Sequence, residues 1–237
     1  MGEGPAARTG VYESPGAKGL FARLRSAIRE EWERYIGHPF VRALAAGTLP
    51  EAAFRRYLGQ DYLFLKQFAR AWALAVYKAD DLDEMRAATT ALTAVLDVEM
   101  GLHVRFCAGW GLGEAEMAAR PEASATIAYT RYVLEKGLAG DALDLHVALA
   151  PCIVGYGEIG ARLAAAPAAT GEANRYQAWI DMYAGAEYQQ VAAAEIAALD
   201  RLFAARGGEA RLVALTSTFR QATRLEIDFW QMGLDAA

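Results

Sequence analysis

The chain has little sulfur and little imidazole to work with. Two cysteines, Cys107 and Cys152, and three histidines, His38, His103 and His146, are spread over 237 residues. Two thiols cannot build a disulfide framework, and three histidines leave scant material for a multi-histidine metal centre. A basic excess is missing as well. With 24 Lys and Arg against 29 Asp and Glu, the net charge is -5, so no cationic surface is at hand for phosphates or anionic lipid. No uninterrupted run of about 20 apolar residues marks a membrane span. Met1 to Gly19 is rich in Gly, Pro and Ala and lacks the apolar core of a signal peptide. No segment alternates with the period of a strand, no glycine-rich phosphate loop follows one, and no Ser/His/Asp arrangement is suggested. The expectation is a cytoplasmic protein with reduced thiols and with neither nucleic acid nor membrane as partner.

Apolar residues are plentiful at 54%, with 22% charged, which fits a folded globular chain. Residues 1–16 scatter Gly, Pro and Ser without periodicity and read as a flexible tail; residues 17–237 read as a single all-α domain. Leu20, Phe21, Leu24, Ile28, Trp32 and Tyr35 recur at helical spacing until Gly37-His38-Pro39 interrupts them. Thr48, Pro50 and Glu51 read as N-cap, first turn and capping-box acid of a helix running to Lys78. Further helices are expected over Leu82–Gly109, Ser124–Lys136 and a segment carrying Cys152. Pro167 and Gly171 mark the next break. Tyr176–Met182, Glu187–Ala205 and Glu209–Met232 complete a multi-helix bundle of eight to ten helices.

The stretch Ala148-Leu-Ala-Pro-Cys152-Ile-Val-Gly-Tyr156-Gly-Glu158-Ile-Gly160 stands out. A proline inside an apolar helix removes one backbone N–H and predicts a local bend or opening. The thiol beside it is either a small buried hydrophobe or a reactive group, with Glu158 a nearby acid. Elsewhere, polar groups interrupt apolar stripes, where burial is costly without partners. Asp61 lies among the aromatics of the helix running to Lys78, either at the stripe's edge or facing a ligand. Glu226 has Phe229 and Trp230 at i+3 and i+4, which suits a carboxyl that keeps its proton or an amphipathic boundary position. Tyr129 and Tyr132 share a helix face, and Tyr183 ends a helix. A thiol, two carboxylates and several aromatics on different helices would suit a flat polar ligand. Glu99 and His103, at i and i+4, have a spacing that can chelate, but no second acid–histidine pair accompanies them. A hydrogen bond between helices is the simpler reading, and no metal site is assigned.

These residues, taken in order, resemble the TenA (thiaminase II) family. The match runs through His38-Pro-Phe-Val-Arg-Ala-Leu-Ala-Ala-Gly-Thr-Leu-Pro50, Phe54-Arg-Arg-Tyr-Leu-Gly-Gln-Asp61-Tyr and Phe68-Ala-Arg-Ala. It continues through Glu99-Met-Gly-Leu-His103, the Cys152 segment, Trp179-Ile-Asp-Met-Tyr183 and Leu225-Glu226-Ile-Asp-Phe229-Trp230. The resemblance implies a haem-oxygenase-like all-α fold, a homotetramer, no cofactor and no metal. The activity it implies is hydrolysis at the methylene arm of 4-amino-2-methylpyrimidines, with an aminopyrimidine or thiamin as substrate. It casts Cys152 as the nucleophile, Glu226 as the acid at the ring edge and Asp61 as the holder of the ring's amino side. Tyr129 and Tyr183 fall at the family's hydroxyls, Phe64 and Tyr156 at its stacking aromatics. Two departures stand out. Phe64 replaces a frequent tyrosine, and Gly155 and Gly157 flank Tyr156 where bulky aromatics are common, which predicts a larger or looser pocket. An oxidase or metal-dependent oxygenase on the same fold, or a non-enzymatic ligand-binding regulator, are the alternative readings.

Overall fold

In the computed structural model, which describes residues 19–165 and 174–236, helices account for most of the described residues and no strand occurs among them. The expected tail over 1–16 and the break at Pro167 and Gly171 lie outside the described residues. The first helical stretch is two helices, α1 (Leu20–Ala27) and α2 (Arg29–Ile36), parted at Ile28, whose φ of -126° and ψ of 32° leave the helical region. A single continuous helix had been expected there. Eleven residues along one helix would hold Phe21 and Trp32 about 16 Å apart. The break folds them to a ring separation of 5.5 Å, and both pack on Phe219. Burial of these three rings is the gain that offsets the lost helical bonds.

His38 caps α3 (Pro39–Ala45), its Nδ1 accepting from the Phe40 amide. Thr48 does not cap the next helix as the spacing had suggested. Its amide and hydroxyl both donate to the Ala43 carbonyl, closing the end of α3, and Pro50 takes the N-cap position of α4 (Glu51–Lys78). Gly47 at φ 69° makes that tight reversal possible. Asp81 then caps α5 (Leu82–Ala94) by accepting from the Asp83 and Glu84 amides. The single helix expected over Leu82–Gly109 is instead α5, a π-helical turn at Val95–Glu99, and α6 (Met100–Ala108). A π turn inserts one residue and rotates everything after it, so Glu99 and His103 turn inward.

The short α7 (Glu114–Ala118) leads to α8 (Ser124–Ala139) and then to α9 (Ala142–Ala165), the axis of the molecule. Helices α8, α10 (Gln177–Ala184), α11 (Ala186–Arg206) and α12 (Glu209–Leu234) all pack on α9. By length and composition α9 would span a bilayer, yet 89% of its most apolar window is buried against its neighbours. It does not open at Pro151; the helix runs unbroken through the proline, and the Tyr35 hydroxyl donates to the Pro151 carbonyl at 3.1 Å. Gly160 admits α10: a Cβ there would sit 2.4 Å from the Tyr183 carbonyl carbon, so the glycine sets how close Tyr183 comes to α9.

Candidate active site

Six helices meet around the Cys152 thiol. Proceeding from α9, the thiol hydrogen-bonds the Glu226 carboxyl of α12, and Glu226 Oε1 accepts from the Tyr129 hydroxyl of α8 at 2.9 Å. From α4, the Asp61 carboxylate meets His103 Nε2 of α6 at 2.6 Å, while His103 Nδ1 lies 2.8 Å from the Glu99 carbonyl. From α10, the Tyr183 hydroxyl donates to Glu99 Oε1 at 2.8 Å. Cys152 feels the charges of Glu226, Glu99 and Asp61 together, which ties the pieces into one cluster. All of these side chains are buried or nearly so: Cys152 is 7% exposed, Asp61 4% and Glu226 1%.

Three carboxyl groups in one dry cluster cannot all be ionised cheaply. Burial pushes Glu226 up to about 8, with the Asp61 and Glu99 charges adding to it, while the Tyr129 hydroxyl and the thiol pull the other way. Burial and the Asp61 charge likewise raise Glu99 to about 7. The thiol is pushed well above its ordinary value, first by burial and then by the three acids. Burial works against charge on His103, and the bonded Asp61 carboxylate more than offsets this, so its pKa is raised. The result is a thiol that holds its proton, beside a carboxyl poised to exchange one near neutrality.

The seven residues singled out from the sequence are brought to this cluster or to its walls. The Phe64 ring lies 5.0 Å from Tyr129 and 5.6 Å from Phe229. Tyr156 sits among Tyr183, Trp230 and Trp179 at 4.9, 5.2 and 5.9 Å, and its hydroxyl is 3.4 Å from that of Tyr57. Other expectations need correction. Gly155 and Gly157 do not enlarge a pocket: a Cβ on Gly155 would meet the Tyr35 ring at 2.3 Å, and one on Gly157 the Ala192 Cβ at 2.9 Å. Their missing side chains are spent on close packing. Glu158 does not serve the thiol; Arg25, Arg162 and the Trp32 indole N–H occupy its oxygens. The hydrogen bonding between helices expected of Glu99 and His103 is present: the His103 ring reaches Asp61 of α4, and the Glu99 carboxyl accepts from Tyr183 of α10. Both nitrogens of the His103 ring are engaged within the protein.

Four residues of the cluster had been missed as site members or misread. Tyr57 stands one turn before Asp61 on α4, and that i, i+4 spacing was the available signal. Glu99 and His103 carried the chelating spacing, which the π turn puts to a different use. Tyr188 of α11, whose pKa is raised well above the ordinary value by burial and by Glu99 and Cys152, carried no sequence signal at all.

Comparison with known proteins adds an independent line. The model of the TENA/THI-4/PQQC family matches residues 25–236. A Haemophilus influenzae protein described as uncharacterized is 43% identical over 218 residues, covering 92% of this chain and 100% of that one. The aminopyrimidine aminohydrolase of Halalkalibacterium halodurans is 37% identical over 212 residues, covering 89% and 93%. Among solved structures, a TenA family transcription regulator from Silicibacter sp. TM1040 superposes with a TM-score of 0.87 at 45% identity, covering 92% of this chain and 98% of that one.

Proposed function

The chain belongs to the TENA/THI-4/PQQC family, and from that premise we propose that it is an aminopyrimidine aminohydrolase of the thiaminase II type, acting in thiamin-related pyrimidine metabolism through Cys152. The observation that carries this reading is the Cys152 thiol bonded to a buried Glu226 whose pKa stands near 8. A group of that pKa both gives and takes a proton at neutral pH, which is the property a general acid–base needs.

In the proposed reaction the thiol adds to a ring carbon of the 4-amino-2-methylpyrimidine. The new S–C bond pushes a ring π pair onto a ring nitrogen. That nitrogen takes the Glu226 proton as Glu226 takes the thiol proton, so the carboxyl ends in the protonation state in which it began. The ring pair then expels the amine from the methylene arm, and the amine leaves with the proton held by Glu226. Water adds to the arm and returns a proton to Glu226, the S–C bond breaks, and the ring regains its aromaticity as the proton on its nitrogen passes back to the thiol. Asp61, braced by His103, would hold the exocyclic amino group. Tyr129 and Tyr183 would order the two buried glutamates around the ring, and Phe64 and Tyr156 would supply apolar walls. The same reading takes the working assembly to be a homotetramer.

The test is turnover of 4-amino-5-aminomethyl-2-methylpyrimidine, its formyl derivative and thiamin, side by side. Hydroxymethyl product is expected from the first. Replacing Cys152 by Ser is expected to cost on the order of 10³-fold or more in kcat with the fold intact. Full turnover by the serine variant would overturn the nucleophile.

A further inference from the structure

A chamber lies between α4, α5, α9 and α11, on the face of α9 that carries Ala142, His146 and Ile153 and not Cys152. It encloses about 370 Å³, within the range of small-molecule sites, and none of Cys152, Glu226 or Asp61 lines it. Its walls are mostly apolar: Trp72, Ile153, Val191 and a series of alanines that includes Ala91 and Ala198. Alanines facing each other across helices leave room that larger side chains would have closed.

The polar groups in this chamber are unequally served. Glu195, 4% exposed, is committed to His146, both of its oxygens 3.0 Å from Nδ1. Glu84 accepts from the Asp80 amide and lies 3.7 Å from Arg206. The acids are thus occupied. The two cationic or donor groups are not: His146 Nε2 makes no hydrogen bond among the described residues, and Arg201 makes no ion pair there. Trp72 presents its ring to His146 at 5.6 Å, which fixes the imidazole in place. Burial disfavours charge on His146, but Glu195 outweighs it and raises the pKa, so Nε2 is disposed to donate. A chamber with apolar walls and two unserved donors, its acids already paired, is built for an apolar body bearing an anionic head.

We propose that this chamber is a binding site, separate from the Cys152 cluster, for a small amphipathic carboxylic acid. The apolar body would lie among the alanines, Ile153 and Val191, and the carboxylate would engage His146 Nε2 and the Arg201 guanidinium.

Octanoate is a suitable probe, with 1-octanol and octylamine as neutral and cationic matches. Calorimetry on the full chain is expected to show one saturable octanoate site per chain, with a rise in Tm. The alcohol and the amine are each expected to bind about tenfold or more weakly. Arg201 is exposed, so Arg201→Gln should fold normally and bring octanoate down to the level of octanol. Ala198→Phe is expected to fill the chamber and abolish binding; if it fails to fold, Ala91→Leu narrows the chamber from the opposite wall. Absence of saturable octanoate binding, equal affinity for octanol, or octanoate binding that survives the filling variants would each overturn the site. So would light scattering showing that Ala198→Phe splits an oligomer while the wild-type chain takes up no octanoate, since a second copy would then occupy the chamber.

Discussion

Two buried glutamates, Glu158 on α9 and Glu226 on α12, show how the same side chain is put to opposite uses. Glu158 is surrounded by donors: Arg25 at 2.7 Å and Arg162 at 2.6 Å share one oxygen, and the Trp32 indole N–H reaches the other at 3.0 Å. Two guanidinium charges and an N–H stabilise the carboxylate, and in return it ties α1, α2 and α9 together. Glu226 has only the Tyr129 hydroxyl and the Cys152 thiol, with two further acids nearby and no cation bonded to it. Its proton is correspondingly held up to about 8. One glutamate is tied into an ion-pair network and the other is left able to exchange a proton. The difference is made entirely by neighbours, since burial is similar at 9% and 1% exposure.

The sharpest way to break this comparison is to neutralise each acid in turn. Glu226→Gln removes the proton exchange and is expected to lower kcat by about 10²–10⁴-fold, while stability holds or rises. Glu158→Gln leaves Arg25 and Arg162 with only the more exposed Glu33 as counter-charge. It is expected to cost about 1–3 kcal/mol in denaturant unfolding with kcat per folded molecule unchanged. Matching losses of activity in the two variants would erase the distinction drawn between them.

Glu158 is six residues from Cys152 and Glu226 is seventy-four, and the family resemblance, not chain distance, picked out Glu226 as the partner acid. Chain proximity is a poor guide on a helix: residues six apart lie on opposed faces, and Glu158 points to α1 and α2. What could be read was local. The Gly207-Gly208 stop and the separation near Ala184-Gly185 follow from residue chemistry, and the helices fall there. What could not be read depended on distant partners. The break at Ile28 is set by Phe219, and the π turn at Val95–Glu99 serves a meeting of His103 with Asp61. Asp61 and Glu226 were visible as acids within apolar stripes, yet a stripe does not say which helix it will face. The chamber between α4, α5, α9 and α11 was invisible, because a void has no sequence pattern beyond the alanines that line it.

Stability against pH gives a smaller but independent test. Below about pH 4.5, Glu226 is protonated in both folded and unfolded chains. Between 4.5 and about 8 the unfolded chain has released a proton that the folded chain keeps. The unfolded state then binds fewer protons, so stability falls as pH rises, by up to about 1.4 kcal/mol per pH unit for one such group. Glu99 adds to the fall over 4.5 to about 7. Denaturant unfolding across this window is expected to show a shallower decline for Glu226→Gln than for the wild-type chain. Parallel slopes would mean that Glu226 is not held protonated.

The smallest effects come from removing one donor from each acid. Tyr129→Phe takes away one of the two groups bonded to Glu226, and the larger of the two influences that hold its pKa down. The alkaline limb of the kcat profile, where Glu226 loses its proton, is expected to move to higher pH, with about a tenfold loss of rate from the missing hydroxyl. Arg162→Met takes away one of three groups bonded to Glu158. Arg162 is 46% exposed, and Arg25 and Trp32 remain, so the loss is expected to be below about 1 kcal/mol in stability, with no change in the pH profile. An acid with surplus donors tolerates such a deletion; an acid with too few registers it in its titration. A pH profile that stays fixed in Tyr129→Phe would show that Glu226 is better supplied than its contacts suggest.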